Sequence, residues 1–200
     1  IAFDQMLDYV QSVGVEAIEI ACGGYVGDRY CKPAELLQDD DATATLKNAI
    51  DQRGLTISAL SAHANPLHPN PEIGAAHRTY ITNAILMAEK LGVDRIVTFS
   101  GCPGGGPDDR TPNWVTCPWP FDFSQTLDYQ WNEVMLPYWE TTARFAADHG
   151  VKLAIEMHPG FCVYNPGTML RLREAIGPTI GCNFDPSHLF WQGVDLTTAI

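Results

Sequence analysis

Leu153-Ala154-Ile155-Glu156-Met157-His158-Pro159-Gly160 and, one repeat later, Thr179-Ile180-Gly181-Cys182-Asn183-Phe184-Asp185-Pro186-Ser187-His188 follow the same plan. Each is a short apolar run that ends on an acid and is followed by a proline-containing turn with a histidine. The interval between Glu156 and Asp185 holds one helix, one strand and two short loops, which is the repeat unit of a parallel α/β protein. Each acid is therefore expected at the carboxyl end of a strand. Ligands in such sheets bind at those ends, so Glu156, Asp185 and His188 are expected to meet at one site.

Working outward, the same joint recurs: a helical stretch, a glycine that stops it, then a β-rich run. The joints are Gly14-Val15, Gly54-Leu55, Gly92-Val93, Gly150-Val151 and Gly177-Pro178. Glycine tolerates the left-handed backbone that ends a helix, and Val/Ile-rich runs suit strands buried on both faces. The spacing predicts helices over 3–13, 41–53, 127–149 and 166–176, the third restarted or kinked at Pro137, and one more carrying Ile81, Ala84, Ile85, Ala88 and Leu91. Strands are predicted over 15–20, ending near Glu19, over 55–62 running into His63, and over 93–99. Five αβ joints in series imply a parallel sheet. An eight-stranded (β/α) barrel of ~250 residues would add one strand before Ile1 and two beyond Ile200, so the chain reads as one partial barrel domain over 1–200. A doubly wound sheet is the rival, but Cys22-Gly23-Gly24-Tyr25-Val26-Gly27 fits its G-x-G-x-x-G turn poorly.

The 200 residues are 46% hydrophobic, enough for a packed core. Twelve Lys and Arg against twenty-four Asp and Glu give a net charge of −12, with no basic run to follow a phosphate backbone, so neither nucleic acid nor anionic membrane is the expected partner. No apolar run approaches the ~20 residues of a membrane span. The start lacks a basic-then-apolar leader pattern, although the chain begins at Ile1 and a removed leader stays open. Six cysteines without a C-x-x-C pair read as reduced thiols in a cytoplasm, with Cys22 and Cys182 as small buried strand residues.

Two carboxylates and an imidazole at neighbouring strand ends suit a divalent ion such as Mn²⁺, Mg²⁺, Co²⁺ or Zn²⁺. The alternative is that Glu156 and Asp185 cap helices or pair with arginines. His158 and His63 fall at the same mouth as candidate substrate contacts, and Glu19 is a candidate for substrate hydroxyls or barrel support. His68, His77 and His149 read as surface groups. The connection 101–124 is long and rich in Gly, Pro, Trp and Phe, and is expected to be a rigid lid, with Trp119 facing substrate, or a subunit contact. Its Gly104-Gly105-Gly106 run lacks the Lys-Ser/Thr of a phosphate cradle.

Ala154-Ile155-Glu156-Met157-His158-Pro159-Gly160 and Cys182-Asn183-Phe184-Asp185-Pro186-Ser187-His188-Leu189 resemble the xylose isomerase-like family of sugar isomerases and epimerases. Ala147-Asp148-His149-Gly150-Val151-Lys152-Leu153 and Gly14-Val15-Glu16-Ala17-Ile18-Glu19 are similar to that family's helix-to-strand wording. The resemblance implies a TIM barrel in which Glu156 and Asp185 bind a divalent metal, Mn²⁺ first among the candidates. It also implies that Glu156 handles protons, that His188 contacts substrate, and that a further His and Glu beyond residue 200 complete the site. The expected reaction is metal-assisted enolisation of a keto-sugar or related polyol, by a homo-oligomer or with a partner subunit. Ser100-Gly101-Cys102-Pro103-Gly104-Gly105 and Asn113-Trp114-Val115-Thr116-Cys117-Pro118-Trp119-Pro120 resemble the alpha subunits of C-glycoside deglycosidases, which implies a lyase acting on 3-oxo-glycosides as the alternative. The endonuclease IV branch is more remote: Thr98-Phe99-Ser100-Gly101 lacks the His expected there, and the charge of −12 opposes DNA. A metal-free binding barrel is the remaining class.

Overall fold

All five joint glycines have positive φ, between 66° and 110°, and each hands a helix or turn over to a strand. The computed structural model describes residues 1–200. In chain order the elements are α1 (Phe3–Ser12), β1 (Ala17–Gly24), α2 (Pro33–Leu36), α3 (Asp40–Asp51), β2 (Thr56–His63), α4 (Pro71–Leu91) and β3 (Arg95–Phe99). There follow α5 (Phe121–Asp128), a π-helical stretch (Tyr129–Met135), α6 (Leu136–Asp148), β4 (Lys152–Glu156), α7 (Pro166–Ile176), β5 (Ile180–Asn183), α8 (Ser187–Phe190) and α9 (Leu196–Ala199).

The five strands pair in sequential order, β1-β2-β3-β4-β5, and every pairing is parallel. A doubly wound sheet reverses its strand order and carries helices on both faces. Here the order never reverses. Ile20, Cys22, Leu60, Ile96, Leu153, Ile155 and Ile180 join the helices in one apolar cluster, whereas their alternate neighbours Val97, Phe99 and Glu156 stand outside it. The helices thus cover one face, and the other is the inner wall of a barrel arc. Register runs along that wall as rows: Ala21, Ser61, Val97, Ala154 and Gly181 form one, and Phe99, Glu156 and Asn183 belong to the next.

Three expectations shift. Strand β1 continues to Gly24, so Glu19 lies inside the strand and is exposed rather than closing it. It pairs with Ala59, four residues before His63, which sets it about 13 Å down the strand from the mouth. The long connection is irregular only as far as Pro120, because Phe121 and Phe123 already belong to α5. The helical run does not stop at Pro137 either: α5, the π-helical stretch and α6 follow one another from Phe121 to Asp148, and the expected restart is a change from π to α geometry at Leu136. Proline cannot donate to, and clashes with, the carbonyl one turn back, and the wider π turn just before it accommodates both defects.

Candidate active site

Glu156 is the last residue of β4, on the inner face, paired in register with Phe99 on one side and Asn183 on the other. His63, the last residue of β2, donates from Nε2 to Glu156 Oε2 at 3.0 Å, and Asn183 Nδ2 donates to the same oxygen at 2.8 Å. The other oxygen, Oε1, accepts from His188 Nε2 at 3.1 Å, and that nitrogen also lies 3.4 Å from Asp185 Oδ2. An ionised carboxylate only accepts, so both imidazoles hold their proton on Nε2. Glu156 and His63 side chains are each 10% exposed, that of Asp185 37%. Asp185 sits two residues past β5, where Ser187 N donates to its Oδ1 at 2.8 Å.

Burial pushes the Glu156 carboxyl up, but hydrogen bonds from His63 and Asn183, with the charge of the two imidazoles, more than offset it and leave the pKa below the usual value. Hydrogen bonds from Ser187 hold Asp185 low as well, against a smaller burial effect. Both acids are therefore ionised at neutral pH, as cation ligands must be. Ligand atoms of Glu156, Asp185 and His188 all lie within 4.8 Å of one another. Donors around a divalent ion with bonds of about 2.1 Å stand roughly 3–4 Å apart, so small side-chain rotations bring the two carboxylates into that range with His188 beside them. The donor chemistry and spacing fit a divalent ion.

A cavity of about 460 Å³ opens over Glu156, walled by His63, Phe99, His158, Phe161 and Tyr25. His158 Nδ1 donates to Pro159 O at 2.7 Å, and its ring lies 4.1 Å from the His188 ring and 4.6 Å from Phe99. Tyr25 reaches the wall through a bulge in β1: the register slips between Ala21 and Gly24, and Tyr25 N donates to His63 O at 2.7 Å. A Cβ on Gly24, at φ +75°, would lie 2.1 Å from that same His63 oxygen, so only glycine permits this approach. A larger cavity of about 690 Å³ lies against α7, between Met157, Met169, Cys182 and Phe184. It contains none of the acids and is not the chemical centre.

The loops around the mouth are tied to one another. Asn65 Nδ2 donates to Cys102 O at 3.0 Å while its Oδ1 accepts from Cys102 N at 2.9 Å. Ser100 Oγ accepts from Val163 N at 2.9 Å, and Ser100 O accepts from the buried Trp139 Nε1 at 2.9 Å. His77 Nδ1 accepts from Asn65 N and His68 Nδ1 from Asn70 N, so two histidines expected at the surface instead fix the loop after β2. His149 pairs with Glu89 at 2.7 Å.

Of the residues singled out in the sequence, Glu156, Asp185, His188, His63 and His158 come together. Glu19 is displaced down the barrel wall, and Trp119 is 77% exposed and outside the cavity wall, so neither joins them. Cys182 is exposed, a correction to its expected burial, because β5 has no strand on its other side to cover it. Sequence reading missed Asn183, Tyr25, Phe99 and Phe161. Asn183 carried a usable signal: it closes the apolar run just before Asp185, at a position alternate to Cys182 and so on the inner face. The glycine pair before Tyr25 was a second.

Comparison with known proteins gives the chain its relatives. A protein from Bacillus subtilis (strain 168), the uncharacterized protein YfiH, is 39% identical over 196 residues, which cover 96% of this chain and 62% of that protein. The chain thus spans less than two thirds of that relative's length. Among solved structures it resembles the probable 3-DHS dehydratase AsbF from Bacillus anthracis (TM-score 0.69, 16% identity, 100% of this chain and 63% of that one). It also resembles an L-ribulose 3-epimerase (TM-score 0.66, 19%, covering 98% and 59%) and the 3-keto-D-glucoside 4-epimerase YcjR from E. coli (TM-score 0.66, 14%, covering 98% and 68%). At these identities the structures support the fold alone. Residues 7–200 match the family described as xylose isomerase-like TIM barrel, and the one-faced parallel arc of five strands agrees with it; the chain belongs to that family.

Proposed function

We propose that this chain carries the metal-holding part of the active site of a sugar isomerase or epimerase that works by removing a proton beside a carbonyl. The observation that carries this reading is the convergence of Glu156, Asp185 and His188 within 4.8 Å at adjacent strand ends. Family membership and the epimerase and dehydratase names of the fold neighbours support it.

In this reading Glu156 and Asp185 hold the ion, Mn²⁺ first and Mg²⁺, Co²⁺ or Zn²⁺ as alternatives. Once bound, the ion supplies positive charge against the negative charge that develops on the carbonyl oxygen. His188 keeps its Nε2 proton and directs it to a substrate oxygen, since its imidazole already lies between the two acids. Glu156 also accepts the substrate proton. Its low pKa makes it a modest base by itself. His63 and Asn183 hold Oε2 and fix the plane of the carboxylate. The connection 101–124 serves as the lid, with Trp114 edge-on to Tyr164 at 5.5 Å in the loop after β4. The aromatic wall of the cavity favours a second reading, a lyase that eliminates from a 3-oxo-glycoside after the same proton removal.

Metal content and metal-dependent solvent-deuterium exchange into keto-sugars test the proposal, with Glu156→Gln as control. Exchange that requires a divalent ion and disappears in the control is the expected result. A folded protein that takes up no ion and exchanges no proton across the panel would overturn it and favour a metal-free binding barrel.

A further inference from the structure

We infer that the cavity over Glu156 selects closed-ring sugars, holding one carbon–hydrogen face of the ring against an aromatic wall, and discriminates against open-chain polyols. This rests on the proposed function only in taking that cavity as the substrate site.

The wall is one connected set of rings from the ends of β2 and β3 and the loops after β1 and β4. Phe99 stacks on Phe161 with centroids 4.3 Å apart and planes 25° from parallel. His63 and His158 lie 4.6 Å from Phe99 on either side, and Tyr25 closes the rim at 6.5 Å. Two of the wall's polar atoms are already spent, His63 Nε2 on Glu156 and His158 Nδ1 on Pro159 O. His63 Nδ1 is buried without a partner. An extended polyol laid along such a surface would strip water from hydroxyls on every side and find few partners for them, and each hydroxyl left unpaired weakens binding. A pyranose differs in shape. Its hydroxyls radiate from the rim of the ring while one face presents carbon-bound hydrogens, so the face covers aromatic carbon and the rim turns toward Glu156, Asp185 and His188. Aromatic rings held by neighbouring rings also lose little conformational freedom on binding.

The wall is built rather than incidental. Gly24 admits the backbone approach that carries Tyr25 over the mouth, and Tyr25, 59% exposed, has its ring edge-on to His77 at 5.1 Å. Cys162 N donates to Gly101 O at 3.0 Å, which holds the Phe161 loop against the strand end that carries Phe99.

Saturation-transfer NMR on the full chain, with methyl β-D-glucopyranoside and sorbitol as probes, tests the inference. The glucoside is expected to receive saturation mainly on the axial hydrogens of one ring face, with sorbitol at least about fivefold weaker. Phe161→Ala and Tyr25→Ala should each weaken the glucoside by about fivefold while circular dichroism stays unchanged, and Phe161→Trp should restore it. Equal transfer to sorbitol, no transfer to the glucoside, or an unaltered signal in both alanine variants would overturn it. Glu156→Gln separates the two ideas. Ring binding that survives there, in a protein showing no Glu156-dependent deuterium exchange, leaves this inference standing and removes the enolisation reading; exchange without ring selectivity does the reverse.

Discussion

The end of β4 and the end of β5 look alike in the sequence, and the structure makes them different. Glu156 is the last residue of its strand, 10% exposed, and both its oxygens are engaged by side chains from elsewhere in the fold. Asp185 lies two residues past its strand, 37% exposed, and its nearest fixed partner is Ser187 in its own turn. One acid is built into the barrel wall, the other into a local turn. A group held by distant elements contributes to the fold as well as to chemistry, whereas a self-capped group can be devoted to a ligand.

The largest predicted effect tests the β4 side. Glu156→Gln removes a charge and, in the proposed reading, a metal ligand, and Glu-dependent proton exchange should fall by about a thousandfold or more. Gln still offers an oxygen to His63, so the fold should survive. Glu156→Ala leaves the His63 ring without any partner, because its Nδ1 already has none, and should be less stable than the Gln variant by about 1–3 kcal/mol in urea unfolding. Equal stability of the two would mean that Glu156 is not a structural tie. On the β5 side, Asp185→Asn should weaken metal binding by about 10- to 100-fold while changing stability by no more than about 0.5 kcal/mol. A loss of stability as large as that of Glu156→Ala would erase the contrast.

Sequence made the regular parts legible for a physical reason. The glycine joints and the buried face of α4 follow local backbone and periodicity rules, and Ile81, Ala84, Ile85, Ala88 and Leu91 are all buried as their spacing implies. Glu156, Asp185, His188, His63 and His158 were readable because topology sends strand ends to one mouth. Glu19 was misplaced because its strand continues into Cys22-Gly23-Gly24, whose glycines read as loop but here extend the strand through a bulge. Phe99 and Phe161 were not read because their role comes from neighbours distant in sequence, and no local pattern reports that. Trp119 was misread for the same reason: aromatic content implies contact, but only the loop's path decides with what.

Asn183 connects the two ends directly, since it lies on β5 and donates to Glu156 on β4. Asn183→Ala should raise the Glu156 pKa, because one of the hydrogen bonds that hold it down is gone while burial still pushes it up. A carboxyl whose folded pKa is depressed stabilises the protein above its unfolded pKa, and that contribution is lost as pH falls through the folded value. The variant narrows this window from the acid side. Its acid-unfolding midpoint, followed by tryptophan fluorescence, should move to higher pH; an unchanged midpoint would show that the two imidazoles fix the charge without Asn183.

The smallest predicted difference is in rates of thiol alkylation, and it compares the same two ends without altering either. Cys162, in the loop after β4, is buried, and its thiol is raised well above the ordinary value by its hydrogen bond with Cys102 and by burial. Cys182, in β5, is exposed, with a pKa pushed up to about 11 by burial of the sulfur and then by the Glu156 charge. Iodoacetamide attacks the thiolate. Cys182 should therefore label slowly at neutral pH and about tenfold faster per pH unit until its pKa is approached, while Cys162 stays unlabelled until the fold opens. Peptide mapping over a pH series reads both sites in one sample. Cys162 labelling in step with Cys182 would mean that the β4 end opens as readily as the β5 edge, and the division between an acid held by the fold and an acid held by its own turn would no longer hold.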